Sequence, residues 1–288
     1  MKPRPSVSAS LAIAAVFCCS IGHARAEQEQ EREPETATLP LWEIGVGAAH
    51  FNMPQYIGSD QRTKGSLPFP YFVFRGEKIN ISRDALSGRL FKSAQLVIDL
   101  SADFSLPVDS SENDAREGMP YIDLLVELGP AWRYIFVRNT EERRTLSIDL
   151  PLRGVLQSDL RYLSFEGWRV NPRLRYQEYF GTWKASAWLG VYFNDHRYNE
   201  LFYSVAPEYA TEDRPQYSAG SGFGGWAASV SMSYRRKAWW VGGYFRLFDI
   251  QNASFADSPL VIKQSNIAFG IAAAWIFKSS STAVPRWQ

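Results

Sequence analysis

Acyl-transfer chemistry needs a nucleophile, a base and a group to orient the base. The chain offers these types sparsely. His50 lies shortly before Ser59, and Asp195 abuts His196. Neither pair belongs to a recognisable nucleophile motif, so each histidine reads better as a strand-end or loop residue. The third histidine, His23, and both cysteines, Cys18 and Cys19, fall within the first 26 residues. Without that segment the chain has no thiol, so disulfides, thiolate metal sites and a cysteine nucleophile are excluded. Two histidines are too few for a His-rich metal centre. No carboxylates show the spacing of a Ca²⁺ loop. The "GVGAA" string at 45–49 opens no phosphate-binding helix. No cofactor, metal or catalytic residue is expected, and the chain does not read as an enzyme.

The first 26 residues are read as removable because Lys2 and Arg4 precede the apolar "LAIAAVFCCSIG", and Ala24 and Ala26 occupy small-residue cleavage positions. This is the pattern of a secretory signal, cut between Ala26 and Glu27. The acidic, polar stretch 27–40, "EQEQEREPETATLP", is expected to be a disordered tether. Loss of Lys2, Arg4 and Arg25 takes three of the 31 basic residues and none of the 30 acids. The remaining chain is near neutral, without the basic excess that nucleic-acid binding needs.

Charged residues recur instead on one parity of alternating segments. In the last apolar run, "SNIAFGIAAAWIF", Ile267, Phe269, Ile271, Trp275 and Phe277 alternate with small or polar residues. That is period 2, a strand, and too short for a spanning helix, which needs ~20 apolar residues. In "AQLVIDLSADF" the polar parity carries Asp99 and Asp103, with Val97 the exception. In the long run "YIDLLVELGPAWRYIFV" it carries Asp123 and Glu127. Elsewhere it carries Asp149, Arg169, Arg173, Arg175 and Lys184. The spacing predicts strands at 41–51, 67–75, 77–83, 86–92, 94–104, 121–138, 144–156, 166–179, 182–194, 222–235, 238–249 and 265–277. Connections 52–66, 105–120, 157–165, 195–221 and 250–264 are long and all fall at one end, and those at the other end are short.

Such asymmetry belongs to an all-β, antiparallel transmembrane barrel of 12 strands, with long extracellular loops and short periplasmic turns. The apolar parity should face lipid, and Trp275 and Phe277 should join an aromatic girdle. A soluble sandwich would also alternate, but the aromatic residues bounding the apolar parity (15% of the chain is Phe, Trp or Tyr) fit interfacial belts better. Unpaired strand edges are costly in lipid, so the last strand must pair with the first, whose Gly45, Gly47 and Ala49 would face inward. The inward charges are expected to form a mutually paired network in a narrow barrel further filled by Trp188, Tyr192 and Trp240. The tyrosine-rich 195–221 connection suits either ligand binding or folding back over the barrel mouth.

Several motifs, in order along the chain, resemble the MltA-interacting protein (MipA)/OmpV family of outer-membrane proteins. They are Pro54, Tyr56, Gly58 and Ser59 of "PQYIGSD", Arg75–Gly76, Gly129–Pro130 of "LGPAWRY", and Asn171–Pro172 of "GWRVNPRLRY". Pro215 and Tyr217 of "RPQYSAGSG", with Ser258–Pro259 of "DSPLV", complete the set. The chain departs from the pattern in continuing past Phe277 with "KSSSTAVPRWQ". The resemblance implies a signal peptide at 1–26, a tether at 27–40, an outer-membrane barrel at 41–277 and a tail at 278–288. It also implies a scaffold that joins a murein-cleaving lytic transglycosylase to a murein synthase. Outer-membrane lipid is then the bulk partner. A small outer-membrane pore and a surface adhesin are the alternatives.

Overall fold

The computed structural model describes residues 38–76, 79–81, 86–139, 142–159 and 161–285. The signal segment, its cleavage point at Ala26–Glu27 and the tether up to residue 37 lie outside them. The chain enters through β1 (Thr38–Pro40), β2 (Trp42–Pro54), β3 (Arg62–Arg75), β4 (Ile79–Ile81), β5 (Leu86–Lys92) and β6 (Leu96–Ser105). It continues through β7 (Leu124–Asn139), β8 (Arg144–Ser158), β9 (Leu163–Val170), β10 (Arg173–Phe180) and β11 (Trp183–Asn194). A helix α1 (His196–Tyr203) precedes β12 (Gly222–Arg236), β13 (Trp239–Asp249), β14 (Ser265–Ser279) and β15 (Ala283–Pro285).

From β2 to β14 each strand pairs antiparallel with its chain neighbours, except that β9 and β10 do not pair with each other. β9 and β10 both pair with β8 and with β11, so they are two halves of one strand interrupted at Asn171–Pro172. The sheet is therefore a twelve-strand ring, closed where β14 pairs with β2 from Phe269↔Asn52 to Ser279↔Glu43. Closure leaves no edge to satisfy in lipid.

The apolar parity faces out. Ile267, Phe269, Ile271, Trp275 and Phe277 are exposed while Ala268, Gly270 and Ala274 between them are buried. Aromatic pairs gather at two levels of this outer face. Trp183–Tyr234, Tyr134–Phe136 and Trp275–Phe277 lie toward the short turns, and Phe165–Trp168, Phe193–Phe223 and Phe223–Trp226 toward the long loops. On β11 the two levels are marked by Trp183 and Phe193. At about 3.3 Å per residue and a tilt of about 40°, that separation spans about 25 Å along the membrane normal, the height of a lipid-facing band.

Three expected boundaries move. The connection predicted over 52–66 shortens because β2 and β3 run on to Pro54 and Arg62. That predicted over 157–165 shrinks because β8 reaches Ser158 and β9 starts at Leu163. In each case ladder hydrogen bonds continue where the hydrophobic alternation has faded. Thr38–Pro40, counted with the tether, instead pairs with Ala283–Pro285 of the tail as a separate two-stranded sheet. Leu41 N donates to Thr282 O, and Ser280 N to Trp42 O, so this small sheet continues the seam between the first and last barrel strands.

Candidate functional site

The long-loop mouth is closed by the chain itself. Connections 55–61, 106–123, 195–221 and 250–264 share one apolar cluster, with Tyr56, Val108, Ile122, Tyr198, Phe202, Tyr203, Ile250 and Phe255 all buried. Polar clasps sew the loops together. Tyr56 Oη donates to Leu260 O at 2.7 Å, Tyr203 Oη to Ile57 O at 2.9 Å and Ser258 Oγ to Tyr203 O at 2.6 Å. Gly58 N donates to Asn266 Oδ1, and its carbonyl accepts from Ile262 N and Lys263 N. Ser59 Oγ accepts from Asn113 Nδ2 at 3.0 Å. Arg116, 2% exposed, holds the carbonyls of Pro120 and Phe202 and lies 5.9 Å from the Tyr56 ring. Arg214 holds those of Ala115 and Glu117. Tyr217 closes an isolated bridge to Val205 next to Pro215. Of the two expectations for the tyrosine-rich loop, folding back is the one observed for Tyr198 and Tyr203. Burial raises the phenols of Tyr56 and Tyr203 well above their ordinary range and that of Tyr198 to about 12.

Beneath the cap, inward side chains form three tiers. In the upper tier Arg169 bonds Glu127 at 2.5 Å and stacks on Tyr192 and Tyr198. Arg153 reaches Asp103 at 3.0 Å and Glu127 at 3.7 Å. Gln157 donates to Asp123 at 3.0 Å. Here each arginine meets a carboxylate.

The middle tier is built on two register rows. Arg133, Asp149 and Arg173 are successive partners on β7, β8 and β10. Arg175, Trp188, Ser229 and Arg246 are successive partners on β10 to β13. Arg133 grips Asp149 with two hydrogen bonds, at 2.8 and 3.2 Å, while Arg175 Nε approaches it at 2.9 Å and Arg173 Nε at 3.6 Å. A Cβ on Gly190 would lie 2.6 Å from Arg173 Cβ, so the glycine seats that arginine.

The lower tier, at the short turns, centres on Glu43, fully buried between Arg75 and Arg235. Tyr71 packs on Trp240 beside it, with Val73 and Ile276.

Asp99, Asp103, Glu127, Asp149, Arg169, Arg173, Arg175 and Lys184 thus share the inward face, and Asp123 lies where β7 enters the cap. Arg133, Arg153, Arg235 and Arg246, which the sequence reading passed over, occupy the same parity and were recoverable from it. Glu43 was hidden in an otherwise small-residue, apolar strand. Among the family-motif residues, Pro54, Tyr56, Gly58, Ser59, Pro215, Tyr217, Ser258 and Pro259 belong to the cap or its rim. Arg75 and Gly76 close the lower end of β3. Gly129–Pro130 drop out of the β7–β8 register, and Asn171–Pro172 split β9 from β10. Asn171 N donates to Pro151 O and its Nδ2 to Val191 O, bridging the gap.

The histidines are far from Ser59 in partnership. His50 Nδ1 meets Ser66 Oγ at 2.8 Å on the outer face, and His196 pairs with Glu200 at 3.2 Å on the exposed side of α1. Among the described residues no group of three His, Cys, Asp or Glu could hold a metal.

A family model described as MltA-interacting protein MipA matches residues 46–277. No curated protein matches the chain. Among solved structures, outer membrane phospholipase A from Escherichia coli aligns at 11% identity and TM-score 0.32, over 83% of this chain and 94% of that one. The CymD monoaromatic hydrocarbon channel aligns at 9% and 0.33, over 83% and 89%. The outer membrane protease OmpT from Escherichia coli aligns at 8% and 0.29, over 82% and 96%.

Proposed function

The chain belongs to the MltA-interacting protein MipA family and is a β-barrel of the outer membrane. From that premise we propose that it is a non-catalytic scaffold, holding a murein-cleaving lytic transglycosylase and a murein synthase together at its periplasmic face. The family description supports the first partner, and the resemblance in the sequence motifs supports the second. The observation that carries the reading is the clasp of β1 with β15, which brings the first and last described segments together at the short-turn mouth. Arg75 anchors that clasp to the barrel by donating to Pro40 O at 2.7 Å. At the long-loop mouth, by contrast, Tyr198 and Tyr203 are buried, which argues against an adhesive surface built from them. The clasp is small beside the ~800 Å² per partner of a standard interface, so the complexes should be weak and dependent on both tails.

Crosslinking in intact cells, followed by identification of the captured proteins, tests this reading. A chain lacking residues 283–288 loses β15 but keeps all of β14. Capture of murein enzymes by the full chain, and its loss in the shortened one, is the expected result. Capture of no murein enzyme by the full chain would reject the scaffold.

A further inference from the structure

The middle tier of the lumen does not balance its charges. Arg133, Arg173 and Arg175 converge there on Asp149, Arg246 lies in the adjoining register row, and Asp99 faces the same level from β6. The excess is unevenly distributed. Arg246 meets no carboxylate among the described residues; its guanidinium lies 5.2 Å from the Trp188 ring and near Tyr244 and Phe248. Arg173 lies over the same indole, at 5.4 Å. The Nε atoms of Arg173 and Arg246 are buried and donate no hydrogen bond. Two cations thus flank one aromatic ring, each with an unused donor.

A buried guanidinium needs a counter-charge and an acceptor. We propose that Arg173 and Arg246, on either side of Trp188, form a lumenal binding site for an oxyanion of the phosphate or carboxylate kind. Fork-shaped guanidinium donors match such oxygens, and charge-assisted bonds to them are strong. Their aromatic packing holds both donors in place before the anion arrives. The cap covers the other mouth, so the anion would enter from the short-turn side, past Glu43, Arg75 and Arg235. Along β10 to β12 that path is lined by Gln177, Lys184, Ser186, Ser231 and Ser233, all inward and only partly buried. A low-dielectric wall carrying excess positive charge focuses anions toward it.

The test uses the purified barrel in detergent micelles at constant ionic strength and neutral pH. Thermal unfolding is followed by near-ultraviolet circular dichroism in sodium chloride, then with inorganic phosphate or acetate replacing chloride. The wild type should unfold at higher temperature in phosphate, with saturation. Equal protection by acetate would assign the site to carboxylate ends, and protection by phosphate alone to phosphate groups; either result supports oxyanion binding. Arg246→Gln removes no carboxylate's partner, so the barrel should fold, yet its apparent affinity should fall by at least about tenfold, as it should in Arg173→Gln. An identical midpoint in all three salts would overturn the proposal, as would a phosphate shift undiminished in both variants.

Discussion

Arg116 shows how a single side chain can order a loop assembly. Its guanidinium is spent on carbonyls rather than on a carboxylate, linking the 106–123 connection to the C-terminal end of α1. Replacement by methionine keeps most of the volume but leaves buried carbonyls unpaired. Arg116→Met should therefore destabilise the cap by about 3 kcal/mol. Limited chymotrypsin digestion should then cut within residues 195–221 while the strands stay intact; wild-type resistance in the variant would contradict the assignment. The cap phenols make a second, pH-dependent prediction. Burial raises the folded-state pKa of Tyr56 and Tyr203 above the unfolded value of about 10. Their stabilisation is thus complete below about pH 10 and is lost as pH rises through the higher folded values. Each phenol also loses its donated hydrogen bond on ionising. The cap should loosen at alkaline pH, seen as late tyrosinate absorbance coinciding with new protease sensitivity, and Tyr203→Phe should reduce that coincidence. The tyrosine-rich connection already allowed a fold-back over the mouth, but the Arg116 clasp was not legible in the sequence, where Arg116 is one charge in a polar connection and its burial depends on other loops. The lumenal arginines differ: alternation alone places Arg169, Arg173 and Arg175 on one face, because strand parity is local.

At the level of elements, period 2 located the strand centres and many of their ends, missing most at the loop ends of β2 and β3. The run 265–277 lies inside β14, and 182–194 nearly coincides with β11. The strand expected over 166–179 is present but broken, because Pro172 cannot donate to the ladder and its neighbours must reroute their bonds. Asn171 takes over with its side chain, and Gly190 lets the two backbones close in. A methyl group there would meet Pro172 O at 2.7 Å as well as Arg173. Gly190→Ala should therefore cost about 1–3 kcal/mol through overpacking. Urea unfolding of the detergent-solubilised barrel, followed by tryptophan fluorescence, measures this directly. An unchanged midpoint would mean that β10 and β11 do not approach so closely. The cap elements, α1 and the short 3₁₀ turns at 110–112 and 114–116, gave no periodic signal, since each is too short to show one.

For the molecule as a whole, the decisive property is closure. Alternation can say that each strand has a lipid face, but not that the first and last strands meet; that inference came from the cost of an open edge in hydrocarbon. The seam that meets this requirement is irregular. β14 carries a bulge between Ile276 and Lys278, directly opposite Gly45 and Ile44 of β2. The bulge presses the Trp275 carbonyl so close to Gly45 that a Cβ there would collide with it. Glycine at 45 is thus a condition of closing the ring, and Glu43, just below, meets Arg75 of the adjacent β3 but reaches Arg235 of β12 only once the seam has formed. A closed barrel resists detergent until heated, because its ladder bonds must break together. The wild type should therefore migrate differently in detergent gel electrophoresis before and after boiling. Gly45→Val should lose the unboiled form and become sensitive to protease in micelles, since the valine side chain and the bulge cannot share the space. A Gly45→Val protein that keeps the unboiled mobility would show that the seam can reach closure by another register. The β14–β2 pairing described above would then not be the one that seals the barrel.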